Sequence, residues 1–125
     1  MFSTLLQVAL GGAIGASGRY LTGVAAVRVM GHGFPWGTLA VNVIGSFLMG
    51  VLVVVLAQAG GTRAAPFLMT GILGGFTTFS AFSLDALTLY ERGQLGLAGA
   101  YVAGSVILSL LAIALGLLVA RAVLA

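Results

Sequence analysis

The length, composition and charge of this chain exclude a water-soluble domain. Of its 125 residues, 61% are hydrophobic and only 6% are charged, whereas soluble domains carry about 25% charged residues. A membrane-spanning helix takes about 20 mostly apolar residues. The length therefore accommodates four spans with short connections, and we predict a single all-α transmembrane domain over residues 1–125.

The few charges are dispersed along the chain. Two residues are acidic and all five basic residues are arginines, which gives a formal net charge of +3. A nucleic-acid-binding domain concentrates basic residues in one patch, but these arginines stand singly at or near the ends of apolar runs. They are Arg19, Arg28, Arg63, Arg92 and Arg121. The pattern argues against a nucleic-acid partner, and the absence of cysteine excludes disulfides and thiolate metal sites.

Turn-forming residues divide the chain into four apolar runs. The predicted spans cover about residues 4–29, 36–59, 64–90 and 95–121. Pro35 suits the first turn of the second helix, where its missing N–H is not needed. The first run has no basic N-terminal region and is as long as a full span, so we interpret it as a retained span and not as a signal peptide.

Small residues recur at a spacing that favours close packing of membrane helices. The chain has 20 glycines, although each glycine costs roughly 1 kcal/mol relative to alanine in a helix interior. Small residues let two membrane helices approach closely. Gly11 and Gly15 form such a pair in the first span, and Gly96, Ala100 and Gly104 form a small-residue face on the fourth.

The arginines give no preferred orientation in the membrane. Arg63 and Arg121 lie on the side of the N-terminus, and Arg28 and Arg92 lie on the other side. Orientation follows from an excess of Lys and Arg on the cytoplasmic side, and here the two sides are equal. We therefore predict dual topology and an antiparallel homodimer. The alternative is that Arg19, inside the first span, or the kinetics of translocation supplies a bias.

Polar side chains form one face of the second span. Thr38, Asn42 and Ser46 are spaced four residues apart and therefore share a face. Two readings are open at this point. These side chains either hydrogen-bond to neighbouring helices, or they form a polar track for a solute.

The third span contains a sequence that is unfavourable for a helix. Gly74 and Gly75 are followed closely by the β-branched Thr77 and Thr78. Glycine readily adopts dihedral angles that break a helix, and carbonyls released at mid-membrane depth must line a cavity or bind an ion. We predict a break of the third helix here. The alternative is a close crossing of two helices at the glycines.

Aromatic and hydroxyl side chains alternate after the predicted break. Phe79 and Phe82 share one face, and Thr77, Ser80 and Ser83 share the adjacent face. An aromatic ring has a positive edge that attracts an anion, and hydroxyl groups donate hydrogen bonds in place of water. The simpler reading of the phenylalanines is contact with lipid or with the core.

Further donors and charges lie on the other spans. Tyr101, Ser105 and Ser109 share a face of the fourth span. Arg19 is a candidate for attracting anions to a vestibule, unless it extends to the membrane surface. Asp85 is a functional candidate because it is ionisable and lies within a span, although it could also pair with an arginine or be solvated.

Three segments together resemble the Fluc (CrcB-type) family of fluoride channels. They are residues 11–20 (GGAIGASGRY), residues 35–42 (PWGTLAVN) and residues 74–83 (GGFTTFSAFS). The segments occur in family order, and the resemblance extends over essentially the whole chain. It implies four-span subunits in an antiparallel, dual-topology dimer with two parallel pores. The implied activity is passive fluoride export across the prokaryotic inner membrane, which lowers cytoplasmic fluoride toxicity.

The resemblance also implies roles for particular residues. The ring edges of Phe79 and Phe82 would contact fluoride, with Asn42 as the pore asparagine and Arg19 near the vestibule. The polar track and its surroundings would contain Thr38, Ser80, Ser83, Tyr101 and Ser105.

A structural sodium ion is implied at the dimer interface. It would be held by the backbone carbonyls of Gly74 and Thr77 from both subunits. One departure from the family pattern is visible, because Asp85 stands where a glutamate is expected. Any contact that depends on the reach of that side chain is put in question.

Other functions fit the sequence less well. A proton-coupled exporter of small organic cations needs a carboxylate at mid-membrane depth, but the first span has none and Asp85 is off-centre. A non-transporting membrane scaffold would have no use for a broken third span. The sequence also argues against an enzyme, because no nucleophile has a plausible base within reach.

Overall fold

The computed structural model describes residues 1–60 and 63–124, and within this part of the chain every regular element is a helix. Helix α1 covers Phe2–Met30 and α2 covers Trp36–Gln58. The third run begins with a π-helical segment, Pro66–Leu73, which continues into the short α3, Gly74–Phe76. Helix α4 covers Ser80–Glu91 and α5 covers Leu95–Leu124. The turn predicted at residues 60–61 lies partly outside the described residues, as does the end of the predicted domain at residue 125.

Glycine and proline set the helix boundaries as local chemistry requires. Helix α1 ends at Gly31, whose positive φ of 79° favours glycine and whose N–H donates to the Val27 carbonyl at 2.8 Å. Helix α2 starts directly after Pro35, as predicted. Gly93, with φ of 78°, ends the turn between α4 and α5. The predicted bounds of these helices differ from the observed ones by three residues at most.

The third run is interrupted later than the glycines suggest. Gly74 has helical dihedrals, φ −62° and ψ −38°, and helix continues to Phe76. Thr77 is extended, with ψ of 159°, and regular helix resumes at Ser80. The interruption therefore comprises residues 77–79, whereas the sequence reading started it at the glycine pair. That pair has another role, which is close contact with α1.

Helix α1 packs against the third run through glycines on both sides. A Cβ added at Gly75 would lie 2.7 Å from the Gly12 carbonyl oxygen, and one at Gly15 would lie 2.8 Å from the Phe76 nitrogen. Side chains here would force the two backbones apart. The predicted close approach at Gly11 and Gly15 is thus confirmed, because both are buried in this crossing.

Helix α2 packs against α5 in the same manner. An added Cβ at Gly50 would collide with the Ile113 carbonyl, and one at Gly116 would collide with the Phe47 carbonyl. The small-residue face predicted on the fourth span behaves differently. Added Cβ atoms at Gly96 and Gly104 meet nothing within 4 Å in the described chain. Within residues 1–60 and 63–124, these two glycine positions therefore contact no other helix.

Three helical stretches of the described chain are long and apolar enough to cross a membrane, judged by length and composition. They are Trp36–Gln58, Pro66–Glu91 and Leu95–Leu124. Helix α1 has 29 residues but contains glycines, hydroxyl residues and Arg19, which make it less apolar. These are the dimensions of an integral membrane protein, and a fourth span at α1 stays a prediction.

Candidate functional site

A cavity of about 330 Å³ lies where α2, the interruption and α5 meet. It brings together four of the predicted pore residues, Asn42, Phe79, Phe82 and Ser105. Ser46 and Ser109, from the polar faces of the second and fourth spans, also line it. The cavity wall therefore combines aromatic rings, hydroxyl groups and one amide with the aliphatic side chains of Met49, Val106 and Ile113, and no charged side chain of the described residues contributes to it.

Ser105 supplies a hydroxyl group that the described residues leave without a partner. Its side chain is only 5% exposed, and its Oγ makes no hydrogen bond within the described part of the chain. Buried polar groups in native proteins are nearly always hydrogen-bonded. The Ser105 hydroxyl is therefore an unused hydrogen-bond donor beside the cavity.

Aromatic rings form a continuous row beside the cavity. The ring centroids of Phe79 and Phe82 are 5.5 Å apart, and those of Phe82 and Tyr101 are 5.2 Å apart. Phe34 meets Tyr101 edge-on at 5.4 Å. The two predicted pore rings differ in their surroundings, because Phe82 is half-buried whereas Phe79 is 78% exposed in the single chain.

Asn42 is bound to the interrupted backbone. Its Nδ2 donates to the Thr78 carbonyl at 2.9 Å, and its Oδ1 accepts from the Thr78 N–H at 2.7 Å. The interhelical hydrogen bonding that the sequence left open is therefore observed at this position. Because Asn42 also lines the cavity, the second N–H of its amide is the group left for a solute.

Thr38 and Tyr101 converge on Asp85. The Thr38 hydroxyl donates to Asp85 Oδ2 at 2.8 Å, and the Tyr101 hydroxyl donates to the same oxygen at 3.2 Å. A hydroxyl group has a single hydrogen, so in this arrangement both hydrogens point at the carboxylate. These two predicted track residues are together, but neither is among the residues that line the cavity of about 330 Å³.

Asp85 is the shared acceptor of this cluster, although the residue roles implied by the family resemblance do not include it. Its side chain spans the distance to both hydroxyl groups, although it is a methylene shorter than glutamate. Asp85 also lines a separate cavity of about 260 Å³, together with Thr38, His32 and Arg92. This cavity lies near the start of α2 and the end of α4. The signal in the sequence was an acid within an apolar run.

Ser80 and Ser83 lie on the exposed side of α4. The Ser83 hydroxyl donates to the Phe79 carbonyl at 3.0 Å, and the Ser80 hydroxyl lies 3.4 Å from the Thr78 hydroxyl. Neither residue is among those that line the cavity of about 330 Å³. Both are more than one third exposed in the single chain.

Arg19 binds the third run directly. Its Nε donates to the Gly75 carbonyl at 3.1 Å, and the side chain is partly buried. It also lines a cavity of about 540 Å³, together with Arg28, Thr38 and Thr78. The structure therefore places Arg19 at a cavity wall next to the interruption.

Gly74 and Thr77 carry carbonyl groups whose usual partners bond elsewhere. In a continuous helix each carbonyl accepts from the N–H four residues later. The Thr78 N–H donates to Asn42 instead, and the Ala81 N–H donates to the Thr78 hydroxyl at 3.2 Å. Two neutral carbonyl oxygens per chain suit a hard cation.

The sequence profile described as "CrcB-like protein, Camphor Resistance (CrcB)" matches residues 6–117. The chain belongs to the CrcB-like family. A relative named Fluoride-specific ion channel FluC, from Cereibacter sphaeroides, is 69% identical over 121 residues, which cover 97% of each chain. Relatives of the same name from a Ruegeria species and from Paracoccus denitrificans are 59% and 56% identical, over 99% and 97% of each chain.

Membership of the CrcB-like family confirms the resemblance read from the three segments. These relatives carry the name of an ion channel and not of an enzyme, in agreement with the expectation that the chain is not an enzyme.

Proposed function

We propose that this chain is one subunit of a fluoride-selective channel that lets fluoride leave the cell passively and so protects the cytoplasm from fluoride. The observation that carries the proposal is 69% identity, over 97% of both chains, with a protein named Fluoride-specific ion channel FluC. The neutral donors in the cavity next to the interruption support it.

The chemistry of the cavity suits a small anion that holds its water strongly. The Ser105 hydroxyl, the remaining Asn42 N–H and the positive ring edges of Phe79 and Phe82 replace water one contact at a time. Conduction needs sites that bind well enough to admit the ion and weakly enough to release it. An inside-negative potential drives the anion outwards by about 2.3 kcal/mol per 100 mV, so no coupled energy source is needed.

Two copies of the chain assemble as an antiparallel homodimer with two pores in the prokaryotic inner membrane, with α1 as a fourth span. The equal arginine count on the two sides supports dual topology. Exposed polar groups at the interruption support a second copy, because hydrocarbon does not tolerate them. The Gly74 backbone and Ser80 are exposed on either side of the interruption, and Phe79 within it is 78% exposed.

A sodium ion at the dimer interface fits the backbone of the interruption. Gly74 and Thr77 would hold it through their carbonyls, because the N–H groups that a continuous helix would supply donate to side chains. When bound, the ion would supply a positive charge to these carbonyl oxygens. Arg19 and Asn42 bind the neighbouring carbonyls of Gly75 and Thr78.

The test is ion flux through purified protein reconstituted in liposomes. With a potassium gradient and valinomycin, a fluoride electrode is expected to report rapid fluoride efflux, and a chloride electrode no efflux above protein-free vesicles. Equal fluoride and chloride efflux would overturn the selectivity. No fluoride efflux from folded protein would favour the non-transporting scaffold.

Asp85→Asn separates this channel from a proton-coupled carrier. The asparagine oxygen still accepts from Thr38 and Tyr101, whereas it exchanges no proton. We expect fluoride flux to stay within about tenfold of wild type. The reason is that a hydrogen bond to a charged acceptor is stronger than one to a neutral acceptor by on the order of 1 kcal/mol. Asp85→Leu, which leaves both hydroxyl groups without an acceptor, is expected to reduce flux further. Complete loss in Asp85→Asn with an intact fold would favour the carrier.

A further inference from the structure

The interruption at residues 77–79 is stabilised by side chains that take the places of helix hydrogen bonds. The primary amide of Asn42 binds both backbone groups of Thr78, at 2.7 Å to the N–H and at 2.9 Å to the carbonyl. The Thr78 hydroxyl accepts from the Ala81 N–H at 3.2 Å. The side chains of Asn42 and Thr78 therefore provide hydrogen-bond partners for three backbone groups.

These bonds divert particular donors. A continuous helix would direct the Thr78 N–H to the Gly74 carbonyl and the Ala81 N–H to the Thr77 carbonyl. Both donors are instead bound by side-chain oxygens. The carbonyls that lose their donors are the same two that the proposed function assigns to the sodium ion.

We propose that Asn42 and the Thr78 hydroxyl are positioning residues that hold the third run open, and that they thereby release the Gly74 and Thr77 carbonyls for a cation. The release of these carbonyls for a cation rests on the proposed function, whereas the role of the two side chains in hydrogen bonding does not. A primary amide is required at position 42 because the Thr78 backbone presents a donor and an acceptor side by side. A hydroxyl or a carboxylate in the same place satisfies only one of them.

This role differs from direct binding of fluoride by Asn42. The amide has one oxygen and two N–H groups, and its oxygen and one N–H are engaged by Thr78. The main energetic contribution of Asn42 is therefore to the backbone, and its contact with an ion in the cavity is limited to the remaining hydrogen.

Amide hydrogen exchange tests the proposal independently of transport. The full-length protein in lipid nanodiscs is exchanged in D₂O, and single residues are resolved by fragmentation mass spectrometry. In Asn42→Leu the Thr78 amide loses its acceptor and is expected to exchange about tenfold faster, as for the loss of a protecting hydrogen bond. In Asn42→Asp a carboxylate oxygen still accepts from that N–H, but the other oxygen faces the Thr78 carbonyl, so exchange at Thr78 is expected to accelerate less than in Asn42→Leu.

Thr78→Val provides the second arm. It removes the acceptor of the Ala81 N–H with little change in shape, so exchange is expected to accelerate at Ala81 and not at Thr78. Ser17→Ala is the matched control, because it also removes one hydroxyl hydrogen bond, from Ser17 to the Ala13 carbonyl, on the exposed face of α1. It is expected to change neither rate. Unchanged exchange at Thr78 in Asn42→Leu, or equal acceleration in Asn42→Asp and Asn42→Leu, would overturn the proposal.

A comparison of cations tests the clause about the carbonyls. Sodium is expected to slow exchange over residues 74–81 relative to N-methyl-D-glucamine in wild type, and the difference is expected to vanish in Asn42→Leu. No sodium effect in wild type would overturn this clause and leave the Thr78 result standing. Absence of fluoride flux in wild type would overturn the proposed function without altering either exchange measurement.

Discussion

Phe79→Ile is expected to abolish fluoride efflux from liposomes while leaving the assembly intact. Phe79 lines the cavity next to Asn42, and its ring lies 5.5 Å from that of Phe82. Isoleucine keeps the apolar bulk but has no ring edge with positive potential. If edge contacts replace lost water, their removal leaves a dehydrated ion without a partner at this step.

The fold does not depend on this ring, which makes the variant interpretable. Phe79 is 78% exposed in the single chain, so its replacement creates no cavity in the core of the chain. Phe2→Ile is a matched control, because Phe2 is similarly exposed, at 74%, and lies at the start of α1 away from the cavity. Phe2→Ile is expected to conduct like wild type. Undiminished flux in Phe79→Ile would contradict the ring-edge mechanism, and size-exclusion chromatography of both variants reports the oligomeric state.

Gly15→Ala is expected to destabilise the protein strongly. The added methyl group would meet only backbone atoms, namely the Ile72 carbonyl group and the Phe76 nitrogen, and backbone cannot move aside as a side chain can. Overpacking of this kind typically costs about 1–3 kcal/mol. Reversible unfolding in SDS titrated into mild detergent micelles measures the loss. Flux is expected to fall as well, because Phe76 directly precedes the interruption.

Gly12→Ala is the control for this prediction. Gly12 lies in the same helix one turn earlier, and an added Cβ there meets nothing within 4 Å. Because alanine favours helix over glycine by about 1 kcal/mol, Gly12→Ala is expected to be neutral or stabilising. Similar destabilisation by both substitutions would mean that helix α1 tolerates no side chain at either position and that the crossing geometry is not the cause.

Two pairs of glycines explain how the helices of this chain pack stably although few large side chains are buried. Membrane helices gain little from burying apolar groups, since lipid is itself apolar. Gly11 and Gly15 bring α1 against the third run, and Gly50 and Gly116 bring α2 against α5. The third run is thereby held between α1 and α2, whose residues Arg19 and Asn42 reach the backbone around the interruption.

The amino-acid sequence by itself determined the class of the protein and the positions of its helices. Long apolar runs identify membrane helices, and residues such as Pro35 and Gly31 begin or end them through their own dihedral preferences. These signals are local, so they need no knowledge of neighbouring segments. Helix periodicity likewise places Asn42 on a polar face of the second span and Ser105 on one of the fourth, whereas their roles in a pore came from the family resemblance.

Only the tertiary structure decided where the third run is interrupted and which groups the polar side chains bind. The glycine pair predicted a break, yet Gly74 and Gly75 stay helical because α1 packs closely against that turn, and the interruption moves to residues 77–79. Glycine can adopt helical as well as non-helical dihedral angles, so contact with another segment decides which of the two it adopts here. The convergence of Thr38 and Tyr101 on Asp85 likewise joins residues that are 47 and 16 positions apart from it, and hydrogen-bond partners at such separations are fixed by distance in space and not by sequence pattern.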